Sequence, residues 1–251
     1  MKTIKYKNIE LLRVNIKAGE TDYYFPQNVS WVGCKIDKII ACLPKNACVD
    51  PYDGTTPVMT KADAGDLYFN IYSKDQKELL HAVSAEQIWH KNNNPLLLNS
   101  ELDLSLCNLY FTQAPAQDMT LLLYVFHDTA IAEDELPENS VSAEFELQAG
   151  EEINFQQIIT TYIRAIPAKV KGMLFWNAET APAYFTLRNY EQTYMLQNLH
   201  SELARVNMNG GSAEDSQVAP MLFDNININF QYSHIRNCGA SAAVQKITIL
   251  Y

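Results

Sequence analysis

The chain has 251 residues, of which 47% are apolar and 19% charged, and its formal charge at pH 7 is −10. This charge argues against a binder of duplex nucleic acid, which needs clustered Lys and Arg. No apolar run approaches the roughly 20 residues of a membrane-spanning helix. No signal peptide follows the basic N-terminus, so we expect a product made and kept in a cytoplasm.

The first seventeen residues are basic although the whole chain is acidic. They contain five basic side chains and a single acidic one, Glu10. A basic end could face anionic lipid or nucleic acid, but a solvated terminus is the favoured interpretation. The fourteen Tyr and ten Phe residues, together with many Val, Ile and Thr, favour strands over helices.

One short stretch occurs twice along the chain. Val14–Glu20 and Phe145–Glu151 are each an alternating apolar and polar run that ends in Ala-Gly-Glu, and the two Ala-Gly-Glu turns lie 131 positions apart. A Phe-x-Gln triplet follows each turn, at Phe25 and at Phe155. We interpret the protein as two tandem copies of one β-rich unit.

The first copy is predicted to hold several strands around one long loop. Strands are expected at Ile9–Ile16, Tyr23–Phe25, Val29–Leu43, Leu67–Tyr72, Leu102–Phe111 and Met119–Phe126. Pro, Asp, Gly and Thr dominate Pro44–Gly65, which predicts a loop. Within it, Asp50–Gly54 could suggest calcium binding, but the further acidic ligands of a calcium loop are missing, so a turn is favoured.

One helix is predicted in each copy. Ser73 and Gln76 have the spacing of a helix-start capping box, and the composition of Asp75–Lys91 is helix-forming. Asn189 and Gln192 repeat the same signal 116 positions later. The apolar residues that follow are spaced four apart and predict an amphipathic helix: Met195, Leu199 and Leu203.

An acidic segment separates the two copies. Residues 129–140 hold four acidic side chains and a proline with no Lys or Arg, which predicts an exposed linker between domains at 1–128 and 141–251. The strands expected in the second copy are Val141–Leu147, Ile153–Ile166, Val170–Trp176, Ala183–Arg188, Ile226–Phe230 and Gln245–Tyr251.

The sequence assigns no catalytic, cofactor-binding or metal-binding residue. The five histidines form no metal-binding pair, and the five cysteines are odd in number and include no Cys-x-x-Cys, so reduced thiols are expected. Glu151 and Glu152 could serve a glycosidase but are better explained as a solvated turn. Trp31, Trp89 and Trp176 could stack on sugars, but core packing is favoured for Trp31 and Trp176.

Two tandem β units of this size, each with a helix inserted after a middle strand, resemble the double-jelly-roll major capsid proteins of tailless icosahedral bacteriophages with an internal membrane. The resemblance is architectural, covers nearly the whole chain and rests on no short motif. It implies a mainly β fold of two tandem jelly-roll sandwiches, each with one inserted α-helix. It transfers no functional residue.

The resemblance implies a structural protein of the virion that is made in the host cytoplasm and is not an enzyme. Its partners would be two further copies in a trimer of pseudo-hexagonal outline, neighbouring capsomers, and minor capsid and penton proteins. Loops Pro44–Gly65 and Asn207–Gln217 would face outward. The basic side chains of Lys2, Lys5 and Lys7 would face inward, towards the internal membrane.

Two other functions remain open on the sequence alone. A tandem β-sandwich protein could bind carbohydrate as an adhesin, using exposed loop aromatics such as Tyr52. A glycan-active enzyme would need a carboxylate pair that the sequence does not locate.

Overall fold

The computed structural model describes residues 3–5, 8–85, 87–88, 97–127, 130–132, 140–162, 169–176, 180–204 and 221–251. The chain divides into a first unit, Glu10–Asp128, and a second unit, which comprises Met1–Ile9 and Thr129–Tyr251. Only residues 130–132 and 140 of the predicted linker are described, so its role as a linker stays a prediction.

Strands make up most of the described chain. In chain order they are β1 (Thr3–Lys5), β2 (Asn8–Ile16), β3 (Asp22–Tyr24), β4 (Ile36–Cys42), β5 (Leu67–Tyr72), β6 (Glu78–Ser84), β7 (Leu97–Ser100), β8 (Asn108–Phe111), β9 (Met119–His127), β10 (Ala130–Ala132), β11 (Ser140–Leu147), β12 (Glu152–Asn154), β13 (Lys169–Phe175), β14 (Ala183–Arg188), β15 (Tyr194–His200), β16 (Met221–Asn227), β17 (His234–Asn237) and β18 (Ala243–Leu250). Strand β1 pairs antiparallel with β10, and both belong to the second unit.

The first unit is an eight-stranded jelly roll. One sheet has the order β2-β9-β4-β7 and the other the order β3-β8-β5-β6. Counted from the first strand of the unit, these orders are 1-8-3-6 and 2-7-4-5, so strands that are distant in sequence lie side by side. This arrangement of two four-stranded sheets is a jelly-roll sandwich.

The second unit has the same topology. Its sheets have the orders β11-β18-β13-β16 and β12-β17-β14-β15, which again read 1-8-3-6 and 2-7-4-5 from the first strand. The fold is therefore mainly β, with two tandem jelly-roll sandwiches, as the sequence predicted.

The core of the first unit lies between its two sheets. Alternate residues of β5 point inward, because Leu67, Phe69 and Ile71 are almost fully buried while their neighbours are half-exposed. All nine residues of β9 are buried, which fits the uninterrupted apolar run in its sequence. The buried apolar cluster comprises mainly Leu12, Val14, Ile16, Tyr23, Phe25, Trp31, Ile36, Ile39, Met59, Phe69, Leu109, Phe111, Leu121, Leu123 and Val125.

The two Ala-Gly-Glu turns are structurally equivalent. Gly19 and Gly150 both have positive φ, 83° and 73°. The N–H of the following Glu bonds the carbonyl three residues earlier, at 3.2 Å in the first turn and 3.0 Å in the second. These are features of a type II turn, whose third position requires the left-handed conformation that glycine adopts without strain. The repeat on which the sequence interpretation depends is therefore present in the fold.

Both predicted inserted helices are wrong. Leu79, Leu80 and Val83 lie on strand β6, and Met195 and Leu199 lie on strand β15. The polar residues before each strand form the turn of a β-hairpin, with β5 and β6 in the first unit and with β14 and β15 in the second. Each jelly roll thus has a fourth strand in one sheet where the sequence predicted a helix.

The two hairpins match residue by residue at a constant offset of 116. In the first, the register pairs are Tyr68↔Ser84, Phe69↔Val83, Ile71↔Leu80 and Tyr72↔Glu78. In the second, they are Tyr184↔His200, Phe185↔Leu199, Leu187↔Leu196 and Arg188↔Tyr194. The irregularities in register occur at the same places, and the positive-φ residues Gln76 and Ala82 correspond to Gln192 and Asn198. The duplication therefore extends to the details of the backbone.

One α-helix, α1 (Phe155–Tyr162), is found in the described part of the chain, inside a stretch predicted to be a strand. Asn154 starts it, because its side-chain oxygen accepts the N–H of Gln157 at 2.8 Å and the Gln157 side chain accepts the N–H of Asn154 at 3.2 Å. This reciprocal pair is a capping box. The first copy has Tyr24 before its Phe-x-Gln triplet, which offers no such cap. No helix among the described residues has the length and apolarity to span a bilayer.

Candidate functional site: loop end and open sheet edges

One end of the first unit is formed by three connections that are tied together; we call it the loop end. The connections are those between β2 and β3, between β4 and β5, and between β8 and β9. The N–H of Gly19 donates to the carbonyl of Pro115 at 3.0 Å, and the N–H of Thr120 donates to the carbonyl of Pro57 at 2.8 Å. The long loop Pro44–Gly65 belongs to this end.

A buried ion pair holds the long loop to the sheet. The side chain of Asp50 is fully buried, and its Oδ2 accepts Nε of Arg13 at 2.9 Å and Nη2 at 2.5 Å. Its Oδ1 accepts the N–H of Tyr52 at 2.8 Å. The guanidinium lies 4.6 Å from the centroid of the Tyr52 ring, a cation–π distance. The loop is therefore fixed by β2 at its base.

The tip of the same loop is closed by Asp53. Its carboxylate accepts the hydroxyl of Thr56 at 2.6 Å and the backbone N–H groups of Thr55 and Thr56 at 2.7 and 2.8 Å. The Thr56 hydroxyl, followed by the two backbone donors, holds the pKa of Asp53 far below its usual range. The Asp53 carboxylate is thus engaged in hydrogen bonds within the loop and the Asp50 carboxylate in the pair with Arg13, and the turn predicted at Asp50–Gly54 is present.

A second acidic side chain joins two of the connections at the loop end. Asp118 accepts the N–H of Ala18 at 3.0 Å and Nζ of Lys17 at 2.7 Å. The Ala18 N–H, with the lysine in second place, lowers the pKa of Asp118. Both charged side chains are more than half exposed, so this pair adds little stability compared with the buried pair of Arg13 and Asp50.

The sequence-level candidates for catalysis have structural partners. Glu151 accepts the N–H of Gln148 at 2.7 Å and so closes its own turn. Glu152 lies 3.7 Å from the ring of His234, whose pKa is lowered chiefly by burial. His81 pairs with Glu78 on strand β6, not on a helix, and His90 lies outside the described residues.

Metal-ligand groups are also sparse within each unit. Taken by itself, neither unit gathers three potential metal ligands among its described residues. The five cysteines form no disulfide. Trp31 is buried in the core, as predicted, and Trp176 is half-buried and donates its ring N–H to Thr248 at 2.7 Å, whereas Trp89 lies outside the described residues.

A buried histidine joins the two chain ends of the first unit. Nε2 of His127 lies 3.1 Å from Oε1 of Glu10, and the His127 side chain is only 7% exposed. The Glu10 carboxylate also accepts the hydroxyl of Ser30. The hydrogen bond from His127 lowers the pKa of Glu10 below its model-compound value of 4.5.

Replacing Glu10 with Gln should reduce the stability of the first unit in a pH-dependent way. A carboxyl whose pKa is depressed by folding stabilises above its unfolded pKa, and this stabilisation is lost as the pH falls through the folded pKa. We expect a loss of about 1 kcal/mol near neutral pH. The difference in unfolding free energy between the variant and the unsubstituted protein should disappear as the pH falls below about 4. Urea unfolding across this pH range tests the prediction, with Glu20→Gln at an exposed turn as the control. A difference in stability that does not change with pH would contradict it.

Several strands lie at the end of a sheet among the described residues: β3, β6 and β7 in the first unit, and β11, β12 and β16 in the second. Strand β6 ends its sheet in the first unit, and strand β11 ends its sheet in the second. Strand β11 alternates buried Ala143, Phe145 and Leu147 with exposed polar residues, so only one of its faces is apolar. Open edges leave a row of backbone donors and acceptors that another strand can satisfy. We call these two strands the β6 edge and the β11 edge.

Neither the pair of Arg13 and Asp50 nor the open edges at β6 and β11 were predicted from the sequence. Arg13 and Asp50 lie 37 positions apart, and their contact follows from the pairing of strands that no local pattern reveals. The only feature of the sequence that could have indicated this pair was Asp50 itself, a second Asp in a loop whose tip is closed by Asp53. The predicted outer loop Asn207–Gln217 lies outside the described residues, as do Lys2 and Lys7. Lys5 lies on β1, opposite Ala130.

Comparisons with known proteins show little sequence similarity. No protein-family model matches the chain, and no curated protein matches it. A solved structure from the Sulfolobus Turreted Icosahedral Virus is similar at 11% identity, covering 97% of this chain and 90% of that chain with a TM-score of 0.24. A cupin 2 conserved barrel domain protein from Leptotrichia buccalis is similar at 9% identity, covering 98% and 91%, with a TM-score of 0.17. Both likenesses are weak, and the jelly-roll assignment rests on the strand order.

Proposed function

We propose that the protein is a structural subunit of a virus, a double-jelly-roll major capsid protein whose trimers form the capsomers of an icosahedral shell. The observation that carries the proposal is the repetition of one jelly-roll topology, down to the hairpin register, within a single chain. Three such chains contain six equivalent lobes, which gives a capsomer of pseudo-hexagonal outline that can tile a surface. Its location would be the virion of a bacteriophage.

The local chemistry supports a building role rather than a catalytic one. Within each unit the titratable side chains described above are engaged in turns, hydrogen bonds and ion pairs. The loop end carries a loop made rigid by the Arg13 and Asp50 pair, which suits an exposed surface that must keep its shape. We propose that this end faces outward and that neighbouring capsomers, minor capsid proteins and penton proteins are the partners, with no specific nucleic-acid binding.

The native mass of the purified protein tests the proposal. Light scattering coupled to size exclusion should give three times the 28.5 kDa chain mass, or larger assemblies, and electron microscopy should show particles with six lobes. A chain that stays monomeric at all accessible concentrations would overturn the proposal. Contact with an internal membrane through the basic N-terminus would appear as flotation with anionic vesicles that is lost when Lys2, Lys5 and Lys7 are replaced by Gln.

One observation favours a carbohydrate-binding protein as the second candidate. Tyr52 is 49% exposed on a loop already fixed by Arg13, and a preorganised aromatic is the kind of group that stacks on a sugar ring. A monomer that binds a glycan array, with binding lost in Tyr52→Ala, would favour this function over the capsid role.

A further inference from the structure

The outer surface of one sheet in the first unit is rich in tyrosine and asparagine. In strands β3, β5 and β8 every second residue is buried in the core, and the residues between them are exposed or half-exposed. These three strands are neighbours in their sheet, so their outward side chains share one surface. Six of the outward residues form what we call the tyrosine face: Asp22, Tyr24, Tyr68, Asn70, Asn108 and Tyr110.

The residues of the tyrosine face form a regular grid. Antiparallel pairing places residues of β3, β8 and β5 directly opposite one another. Neighbouring strands lie about 4.8 Å apart and outward residues recur about every 6.8 Å along a strand, so the grid of Cα atoms measures roughly 10 by 7 Å. Its two rows are Asp22 with Tyr110 and Tyr68, and Tyr24 with Asn108 and Asn70.

Part of the tyrosine face is held in place by contacts between its own side chains. The rings of Tyr68 and Tyr110 are stacked, with centroids 5.6 Å apart and an interplanar angle of 21°. Nδ2 of Asn70 donates to Oδ1 of Asn108 at 3.0 Å, and Oδ1 of Asn70 accepts the N–H of Ala82 at 2.9 Å. Because these side chains are ordered in advance, a ligand that binds them loses less conformational entropy.

Other groups of the tyrosine face are available to a ligand. Within the described residues, the hydroxyls of Tyr24, Tyr68 and Tyr110 have no hydrogen-bond partner, nor does the amide nitrogen of Asn108. The side chain of Tyr24 is 68% exposed and lies opposite Asn108. A sugar ring offers a C–H face to an aromatic ring and hydroxyls that both donate and accept hydrogen bonds. The aromatic ring, the amide and the carboxylate of Asp22 match these three features.

The charge of this sheet excludes anionic ligands. Strands β3, β5, β6 and β8 contain no Lys or Arg, and they carry the carboxylates of Asp22 and Glu78. Nucleic acid and sialylated or sulfated glycans would therefore be repelled. A proline-rich peptide is also a poor match, because proline has no N–H to offer to Asp22. A neutral glycan provides hydroxyl donors for that carboxylate without adding negative charge.

We propose that the tyrosine face binds a neutral glycan. One sugar ring stacks on Tyr24, and its hydroxyls accept from the amide nitrogen of Asn108 and donate to the carboxylate of Asp22. This binding activity goes beyond the proposed shell role and does not depend on it, since all of these residues belong to the first unit of a single chain. The site also differs from Tyr52, which lies at the loop end.

Binding of the full-length protein to immobilised oligosaccharides tests this proposal. The probes are neutral oligosaccharides of glucose, mannose and galactose, with sialylated and sulfated glycans as the charged arm. We expect binding to a neutral probe and none to the charged arm. Tyr24→Ala should weaken this binding at least about tenfold, whereas Tyr24→Phe, which keeps the ring, should retain it. The matched control is Tyr190→Ala, because Tyr190 is 65% exposed in the second unit.

The melting temperature of Tyr24→Ala should equal that of the unsubstituted protein, which shows that lost binding is not lost folding. Absence of binding to every neutral probe, or binding to the charged arm alone, would overturn the proposal. Binding that Tyr52→Ala abolishes and Tyr24→Ala leaves unchanged would place the site at the loop end and overturn it as well. If Tyr24→Ala lowers the native mass and no glycan binds, the tyrosine face is a contact between copies instead. A monomer that binds through Tyr24 would overturn the capsid role and leave this inference standing.

Discussion

Replacing Arg13 with Met is expected to lower the free energy of unfolding of the first unit by about 3 kcal/mol. The substitution keeps much of the side-chain length but leaves the Asp50 carboxylate without its cation. That carboxylate is fully buried and would retain only the N–H of Tyr52 as a donor. An unpaired buried charge is among the most destabilising changes a single substitution can make.

Two further variants separate the buried charge from other effects of the change. Lys17→Met removes the cation of the exposed pair with Asp118 and should cost less than about 1 kcal/mol. Adding Asp50→Asn to Arg13→Met removes the stranded charge while leaving an oxygen for the N–H of Tyr52, so more than half of the lost stability should return. Amide exchange localised to residues 10–127 measures each value. Equal costs for Arg13→Met and Lys17→Met would contradict the argument.

Local sequence patterns predicted the duplication correctly but assigned the wrong element to it. The Ser73 and Gln76 signal reflects real chemistry, because the Ser73 hydroxyl accepts a backbone N–H, that of Lys77 at 3.2 Å. The same interaction starts a helix or closes a hairpin turn. Gln76 has a φ of 60°, which an α-helix cannot accommodate. The segment forms a hairpin turn rather than a helix because the residues after it pair with β5.

The apparent helical spacing on these strands has a structural cause. An irregularity at Ala82 and at Asn198 shifts the alternation of inward and outward side chains along β6 and β15. A strand whose phase changes once looks locally like a helix, because apolar residues recur after three or four positions rather than two. The spacing of apolar residues alone therefore could not distinguish an irregular strand from a helix. The regular strand β5 and the turn at Gly19 were predicted correctly.

The contacts of the loop end were beyond sequence reasoning for a different reason. Lys17 and Asp118 lie 101 positions apart, and the two meet only because the first and last strands of a jelly roll are neighbours. Their types and spacing carry no signal of this. The open edges are likewise properties of the sheet order, so no inspection of β6 or β11 alone would reveal them.

Replacing Asn237 with Asp is expected to destabilise the second unit by about 4 kcal/mol near pH 8. The Asn237 side chain is fully buried, and its amide nitrogen donates to the carbonyls of Leu147, Gln148 and Ser241 at 3.0, 3.1 and 2.9 Å. Its oxygen accepts the N–H of Gly239 at 2.9 Å. The substitution keeps the shape but places a carboxylate oxygen against three carbonyl oxygens.

The pH dependence of this variant distinguishes charge repulsion from simple loss of packing. Burial and the facing carbonyls should raise the pKa of the introduced carboxyl, so the destabilisation grows as the pH rises through that value and shrinks below it. At about pH 4 the protonated acid can donate one hydrogen bond, and the cost should fall by at least about 1 kcal/mol. Asn227→Asp, at an exposed position of β16, is the matched control and should cost little at either pH. A destabilisation by Asn237→Asp that is equal at both pH values would show that the three carbonyls do not govern this position.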